Sequence, residues 1–141
     1  MKISEILRRK GSKVTTIDPA ATVRDLVTIL VEQNIGAAVV SGPAGQVLGI
    51  VSERDIVRNL TDGPGVLDRT IAQIMSADLT VCRPDSSVEQ VREEMTDRRI
   101  RHLPVIDGGE LKGIVSIGDV VKSAIDDLRF ERDQLSDYVG R

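Results

Sequence analysis

Aromatic residues, cysteine and histidine are almost absent from this chain of 141 residues. Aromatic side chains make up 1% of it, which argues against the stacking platforms that bind single-stranded nucleic acid. The one cysteine, Cys82, permits no disulfide within the chain. A single histidine with a single cysteine excludes the usual zinc ligand sets and gives no support to a Cys–His catalytic pair. We therefore expect no enzyme activity and no required cofactor.

Positive charge and long apolar runs are also missing. The formal net charge of −3 argues against a general nucleic-acid binder, which needs a positive field. No apolar run approaches the ~20 residues that cross a bilayer, so no membrane partner is expected. Residues 1–6 are too interrupted by charge for a secretory signal. These features predict a cytoplasmic protein.

What the chain does contain is an internal repeat. The segment Gly-Ile-Val-Ser at 49–52, followed by Asp55, recurs at 113–116, followed by Asp119. A Pro-x-x-x-Val segment recurs upstream, and residues 3–7 resemble residues 71–75. Such a repeat governs the whole fold. The predicted boundaries are repeat one at 1–62, a linker at 63–67, repeat two at 68–125 and a C-terminal helical extension at 126–141.

Both repeats give the same order of elements. A short β-type segment ends near a proline, an amphipathic helix follows, and two apolar runs around a Gly-rich turn form a hairpin that leads into a second helix. The segments of β type are 14–17 and 79–82, and the apolar runs are 37–40, 47–51, 103–106 and 111–115. The predicted class is α/β (α+β), with two β-α-β-β-α repeats related by pseudo-two-fold symmetry and a C-terminal helix.

The repeated Ser-x-x-Asp motif has two interpretations. A serine at a helix start with an acid three residues later is a helix cap. The same place suits a nucleotide, because free N–H groups attract phosphate and a carboxylate can accept from both ribose hydroxyls. Since Ser52 with Asp55 and Ser116 with Asp119 each follow Gly-Ile-Val, the duplication favours binding.

These residues closely resemble the CBS domain family, whose hallmark is a strand ending in Gly-apolar-apolar-Ser/Thr followed by x-x-Asp. The resemblance covers nearly the whole chain and implies one possible site per repeat for AMP, ADP, ATP, or NAD(H), or sometimes S-adenosylmethionine. It places the serine on phosphate and the aspartate on ribose. It also implies that backbone of the first two strands of each repeat holds adenine, at Thr16, Ile17, Ala37, Ala38, Thr80, Val81, Leu103 and Pro104.

Three basic residues complete the predicted site. Arg54 lies beside Asp55, and the resemblance implies that Arg101 and His102 face the phosphates of the ligand held by the other repeat. The competing interpretation leaves Arg101 in solvent and His102 packed in its strand. Repeat two has Ile117-Gly118 where repeat one has Glu53-Arg54, so the Asp55 site is expected to be richer in cations.

The C-terminal helix is predicted to start near Asp119 and to reach Tyr138. It either packs back on its own chain or contacts a second subunit. A homodimer is expected, with candidate contacts at Val57, Leu60, Val121, Ile125 and Leu128. The predicted function is a regulatory sensor of adenine nucleotides that acts in trans on an unknown protein partner. The alternative is a ligand-free CBS scaffold for dimerisation and interaction.

Overall fold

A computed structural model describes residues 1–139 as a mixed helix and strand fold with two compact units. The first-repeat unit comprises residues 13–80 with 108–111. The second-repeat unit comprises residues 1–12, 81–107 and the chain from 112 onward. The expected α+β class is confirmed. The predicted extension at 126–141 is described as far as Val139, and residues 140 and 141 lie outside the described part.

The first-repeat unit is built on a sheet of three strands. Its order is β1-β2-β3, with β1 parallel to β2 and β2 antiparallel to β3. Its elements are β1 (Thr16–Ile17), α2 (Val23–Gln33), β2 (Ala37–Ser41), β3 (Val47–Ser52), α3 (Glu53–Asn59), two short 3-10 turns (Leu60–Asp62, Pro64–Asp68) and α4 (Ile71–Ile74). Leu26 and Val23 of α2 pack with Val40 and Val51 of the sheet in one buried core.

The second-repeat unit is built on a two-stranded hairpin. Its elements are α1 (Ile3–Lys10), α5 (Val88–Arg98), β4 (His102–Asp107), β5 (Glu110–Ser116) and α6 (Ile117–Val139). The predicted strand at 79–82 is reduced to a single parallel bridge between Cys82 and Val105. Two hydrogen bonds hold its register. The N–H of Cys82 donates to the carbonyl oxygen of Pro104 at 3.0 Å, and the N–H of Ile106 donates to the carbonyl oxygen of Cys82 at 2.9 Å.

The first helix of each repeat packs into the unit of the other repeat. Ile3 and Ile6 of α1 are buried with Val91 and Leu103 of repeat two. Ile71 and Ile74 of α4 are likewise buried in the core of the first-repeat unit. The repeats therefore describe the sequence, whereas the compact units arise by exchange of the leading helices.

This exchange explains the glycine in each Gly-Ile-Val-Ser segment. A Cβ on Gly49 would lie 2.5 Å from the carbonyl oxygen of Ser76, just beyond α4. A Cβ on Gly113 would lie 2.7 Å from a methyl group of Leu7 in α1. Both glycines let the sheet approach the exchanged segment closely, and Ile50 and Ser76 there exchange backbone hydrogen bonds of 3.1 and 3.0 Å.

Helix α6 lies against its unit only along its first part. Val120 and Ser123 are buried there, whereas every residue from 127 to 139 is exposed. Of the two expectations for this helix, packing back on its own chain is therefore wrong for its second half. That half carries five exposed apolar side chains: Leu128, Phe130, Leu135, Tyr138 and Val139.

Candidate functional site

The Ser52–Asp55 motif stands where β3 passes into α3. Asp55 Oδ2 accepts the backbone N–H of Ser52 at 2.8 Å and its hydroxyl at 3.2 Å. This is the capping arrangement, in which an acid in the first turn satisfies a backbone donor that the helix leaves unpaired. The carboxylate is half-buried, and a carboxylate can accept several hydrogen bonds.

The sheet brings other predicted residues to this end of β3. Ala37 pairs with Ser52 across the β2–β3 ladder, and Thr16 pairs with Val39 across β1–β2. The N–H of Glu53 donates to Gly36 O at 3.0 Å, which ties the start of α3 to the start of β2. Thr16, Ala37 and Ser52 thus belong to three adjacent strands of one sheet.

Two of the predicted adenine contacts in the first-repeat unit belong to its core cluster. The side chains of Ile17 and Ala38 belong to the buried cluster of this unit. They can therefore offer a ligand only their backbone, as the resemblance implies. Arg54 is half-buried in the first turn of α3 and interacts with other groups of the protein.

The Ser116–Asp119 motif repeats the same cap at the start of α6. The N–H of Ser116 donates to Asp119 Oδ2 at 2.8 Å, and the N–H of Asp119 donates to Ser116 Oγ at 3.2 Å. The N–H of Ile117 donates to the carbonyl of Arg101 at 2.8 Å, which matches the Glu53–Gly36 bond of the first-repeat unit. The two motifs are therefore built alike, each within its own unit.

Asp119 also has a cationic partner, Lys10 at the end of α1. Lys10 Nζ donates to Asp119 Oδ2 at 2.7 Å and to the carbonyl oxygen of Ile114 at 2.9 Å. The side chains of Lys10 and Asp119 are 32% and 23% exposed. The leading helix thus supplies a charge to the carboxylate that was predicted to accept ribose.

The pKa of Asp119 reflects opposing effects. Burial raises it, but the hydrogen bonds from Lys10 and Ser116 and the positive charge of Lys10 outweigh burial. The pKa is consequently lowered below the ordinary aspartate value, and Asp119 is an anion at neutral pH. An anionic acceptor forms stronger hydrogen bonds with hydroxyl donors than a neutral acceptor does.

A shallow pocket between α1 and α6 opens beside this ion pair. It is lined by Ile6, Arg9, Lys10, Asp119, Lys122, Ser123 and Asp126. Arg9 lies 3.8 Å from Asp126, so both acids of the pocket have a cation from α1. The pocket thus brings three cationic side chains together with two acidic ones.

The remaining predicted residues divide between the units. Arg101 is exposed, His102 is half-buried at the start of β4, and Leu103 and Pro104 are buried in that strand. All four belong to the unit that holds Asp119, as does exposed Val81, whereas half-buried Thr80 belongs to the first-repeat unit. That Arg101 and His102 contact the phosphates of a ligand at the Asp55 site stays a prediction.

Lys10 is the site residue that sequence reasoning missed. It ends a basic run in the last turn of α1, a pattern that usually neutralises the helix dipole. The matched leading segment of repeat two contains α4, which ends at Ile74. The repeat comparison therefore gave no signal for a lysine that reaches Asp119.

The chain belongs to the CBS domain family. The family model for the CBS domain matches residues 3–62 and 71–126. The chain is 35% identical to the CBS domain-containing protein CBSX3, mitochondrial, of Arabidopsis thaliana, over 97% of this chain and 71% of that protein. It is 29% identical to the CBS domain-containing protein YhcV of Bacillus subtilis, over 84% of each chain. The family and the tandem arrangement inferred from the motifs are confirmed.

Solved structures show the same fold. A CBS-domain protein of Agrobacterium tumefaciens superimposes with a TM-score of 0.85 at 38% identity, covering 87% of this chain and 92% of that one. The CBS domain pair of protein MJ0100 superimposes with a TM-score of 0.80 at 23% identity, over 90% and 98% of the two chains. That structure holds 5-methylthioadenosine and S-adenosyl-L-methionine.

Two kinds of feature are absent from the described part of the chain. Within residues 1–139, no helix combines the length and apolar character that a membrane span requires. Over the same residues, no group of three His, Cys, Asp or Glu side chains is arranged to hold a metal ion.

Proposed function

We propose that this CBS pair is a regulatory module that binds adenine nucleotides and acts in trans on a partner protein. The observation that carries the proposal is the duplicated Ser-x-x-Asp cap, which holds an aspartate at an equivalent place in both units. The adenosyl ligands of MJ0100, which has the same fold, support the class of ligand. AMP, ADP, ATP and NAD(H) are the candidates, and binding requires no further cofactor.

The two sites are proposed to differ in affinity. Asp119 already accepts from Lys10 and Ser116, so a ribose at that site must share the carboxylate with a lysine. The carboxylate of Asp55 accepts from the backbone N–H and the hydroxyl of Ser52, which belongs to its own cap. Nucleotide is therefore proposed to occupy the Asp55 site first, with Thr16 and Ala37 on the neighbouring strands.

A second function, the ligand-free scaffold for dimerisation, has a specific observation in its favour. Capping alone accounts for the position of both acids, since each satisfies a backbone N–H at its helix start. On this view the helices supply a homodimer contact through Val57, Leu60, Val121 and Ile125, all of which are exposed.

Isothermal titration with AMP, ATP, NADH and S-adenosylmethionine distinguishes the two functions. Asp55→Asn should weaken binding by roughly tenfold to a hundredfold, because a charged acceptor is lost. Asp25→Asn is the matched control, since Asp25 caps α2 with Thr22 in the same geometry but carries no predicted ligand contact. Equal binding by both variants would refute the role of Asp55 in the ligand site. No binding of any ligand at millimolar concentration would favour the scaffold.

A further inference from the structure

The exposed side of α6 carries a heptad pattern. Counted from Val121, apolar side chains recur at alternate spacings of four and three residues, interrupted only by Arg132. The positions are Val121, Ile125, Leu128, Arg132, Leu135 and Val139. A run with this spacing forms a straight seam when two helices supercoil about each other. The seam lies beside, and not on, the face that buries Val120 and Ser123.

Within residues 1–139, no other element of the chain covers the second half of the seam. Leu128 and Leu135 are 65% and 66% exposed, and the residues between them are exposed as well. An isolated helical end of this length is only marginally stable in water, so a helix continued to Val139 with exposed leucines needs a partner surface. The second half of the seam also lies beyond residue 126, where the match to the CBS family ends.

The residue types at the seam specify the partner. Taking Ile125 as position a places Ile125 and Val139 at a, and Val121, Leu128 and Leu135 at d. β-Branched residues at a with leucine at d favour a parallel coiled coil of two strands. The pattern is self-complementary, as an interface between identical chains requires.

Arg132, the one charged residue of the seam, also fits a second copy. At position a of a parallel pair it faces its own equivalent, which would be unfavourable alone. Glu131 precedes it at position g, the place from which a side chain reaches the a residue of the other helix. Two copies therefore form two symmetric Glu131–Arg132 pairs, whereas an unrelated helix would have to supply its own acid.

We propose that α6 joins two copies of this chain through a parallel, in-register coiled coil along Val121–Val139. This rests on the self-association suggested above and not on nucleotide binding. The polar layer at Arg132 fixes the register at some cost in stability, as polar a residues do. The contact differs from one through Val57 and Leu60 of the first-repeat unit.

Sedimentation equilibrium of the full chain tests the seam. Leu128→Lys and Leu135→Lys should each weaken self-association about a hundredfold or more, because each removes a buried leucine from both copies. Phe130→Lys is the matched control, since Phe130 is also 65% exposed but lies off the seam. Helical content and thermal unfolding by circular dichroism verify that the variants fold.

Cross-linking tests the register. Leu135→Cys should form a disulfide between copies on oxidation, whereas Asp137→Cys on the outer face should not. The native Cys82 is buried and does not compete.

Arg132→Ile should tighten the dimer. A wild-type monomer at about 100 μM would overturn the proposal. So would seam variants that dimerise normally, cross-linking at residue 137 as readily as at 135, or an Arg132→Ile dimer that is unchanged. Loss of the dimer in Val57→Lys alone would leave self-association standing and refute only the seam.

Discussion

Replacing Lys10 by methionine should destabilise the protein in a manner that depends on pH. The substitution keeps the length of the side chain and removes the ammonium that lies 2.7 Å from Asp119 Oδ2 and 2.9 Å from Ile114 O. Hydrogen bonds to charged groups contribute about 1.5–3 kcal/mol, and exposed ion pairs about 0.2–1 kcal/mol. Because the two side chains are 32% and 23% exposed, we expect a loss of about 1–1.5 kcal/mol at neutral pH.

The pH dependence follows from the lowered pKa of Asp119. A carboxyl group with a lowered pKa in the folded state stabilises the protein above its unfolded pKa, and the contribution is lost as pH falls through the folded pKa. The difference between wild type and Lys10→Met should thus be full at neutral pH. It should shrink well below the ordinary aspartate pKa of about 3.9, leaving only the bond to Ile114 O.

Urea unfolding followed by circular dichroism measures the difference in free energy of unfolding between wild type and Lys10→Met. The measurement is made at neutral pH and at a pH well below about 3.9. Arg9→Met is the matched control, because Arg9 lies one residue away and pairs with Asp126 at 3.8 Å in a more exposed setting. It should cost no more than a few tenths of a kcal/mol. A double-mutant cycle of Lys10→Met with Asp119→Asn isolates the pair. A Lys10 effect as small as that of Arg9, or one that persists undiminished in acid, would refute the reasoning.

The remaining predictions concern packing, reactivity and ligand. Gly49→Ala should destabilise the protein by about 1–3 kcal/mol, because the new methyl group meets the backbone oxygen of Ser76. Gly113→Ala should cost less, because the side chain of Leu7 can shift and a backbone oxygen cannot; urea midpoints compare the two variants. Burial and the charge of Glu94 raise the pKa of Cys82 to about 12, so a thiol reagent at neutral pH should label it only after unfolding, and rapid native labelling would contradict this. A bound adenine nucleotide at a hundred times its dissociation constant should raise the melting temperature by about 5–10 °C in scanning calorimetry, and no rise would count against binding.

Local patterns account for much of what could be predicted. Val23, Leu26 and Leu30 recur at helical spacing, and all three are buried on α2 as that spacing requires. The segment at 79–82 is predicted as a strand but forms only one β-bridge, because a β segment forms only where a neighbouring strand pairs with it. Cys82 forms such a bridge, with Val105.

The sequence by itself determined the repeat, the family and the two aspartates that cap helices, because each is recognised from short motifs of residues that are close together in the chain. The tertiary structure decided which helix packs on which sheet. Ile3 belongs to repeat one in sequence yet is buried with residues of repeat two, and no local propensity encodes that exchange. It also decided that Lys10 reaches Asp119, more than a hundred residues away in sequence. Periodicity reports which face of a helix is apolar, but only packing selects the surface that covers it.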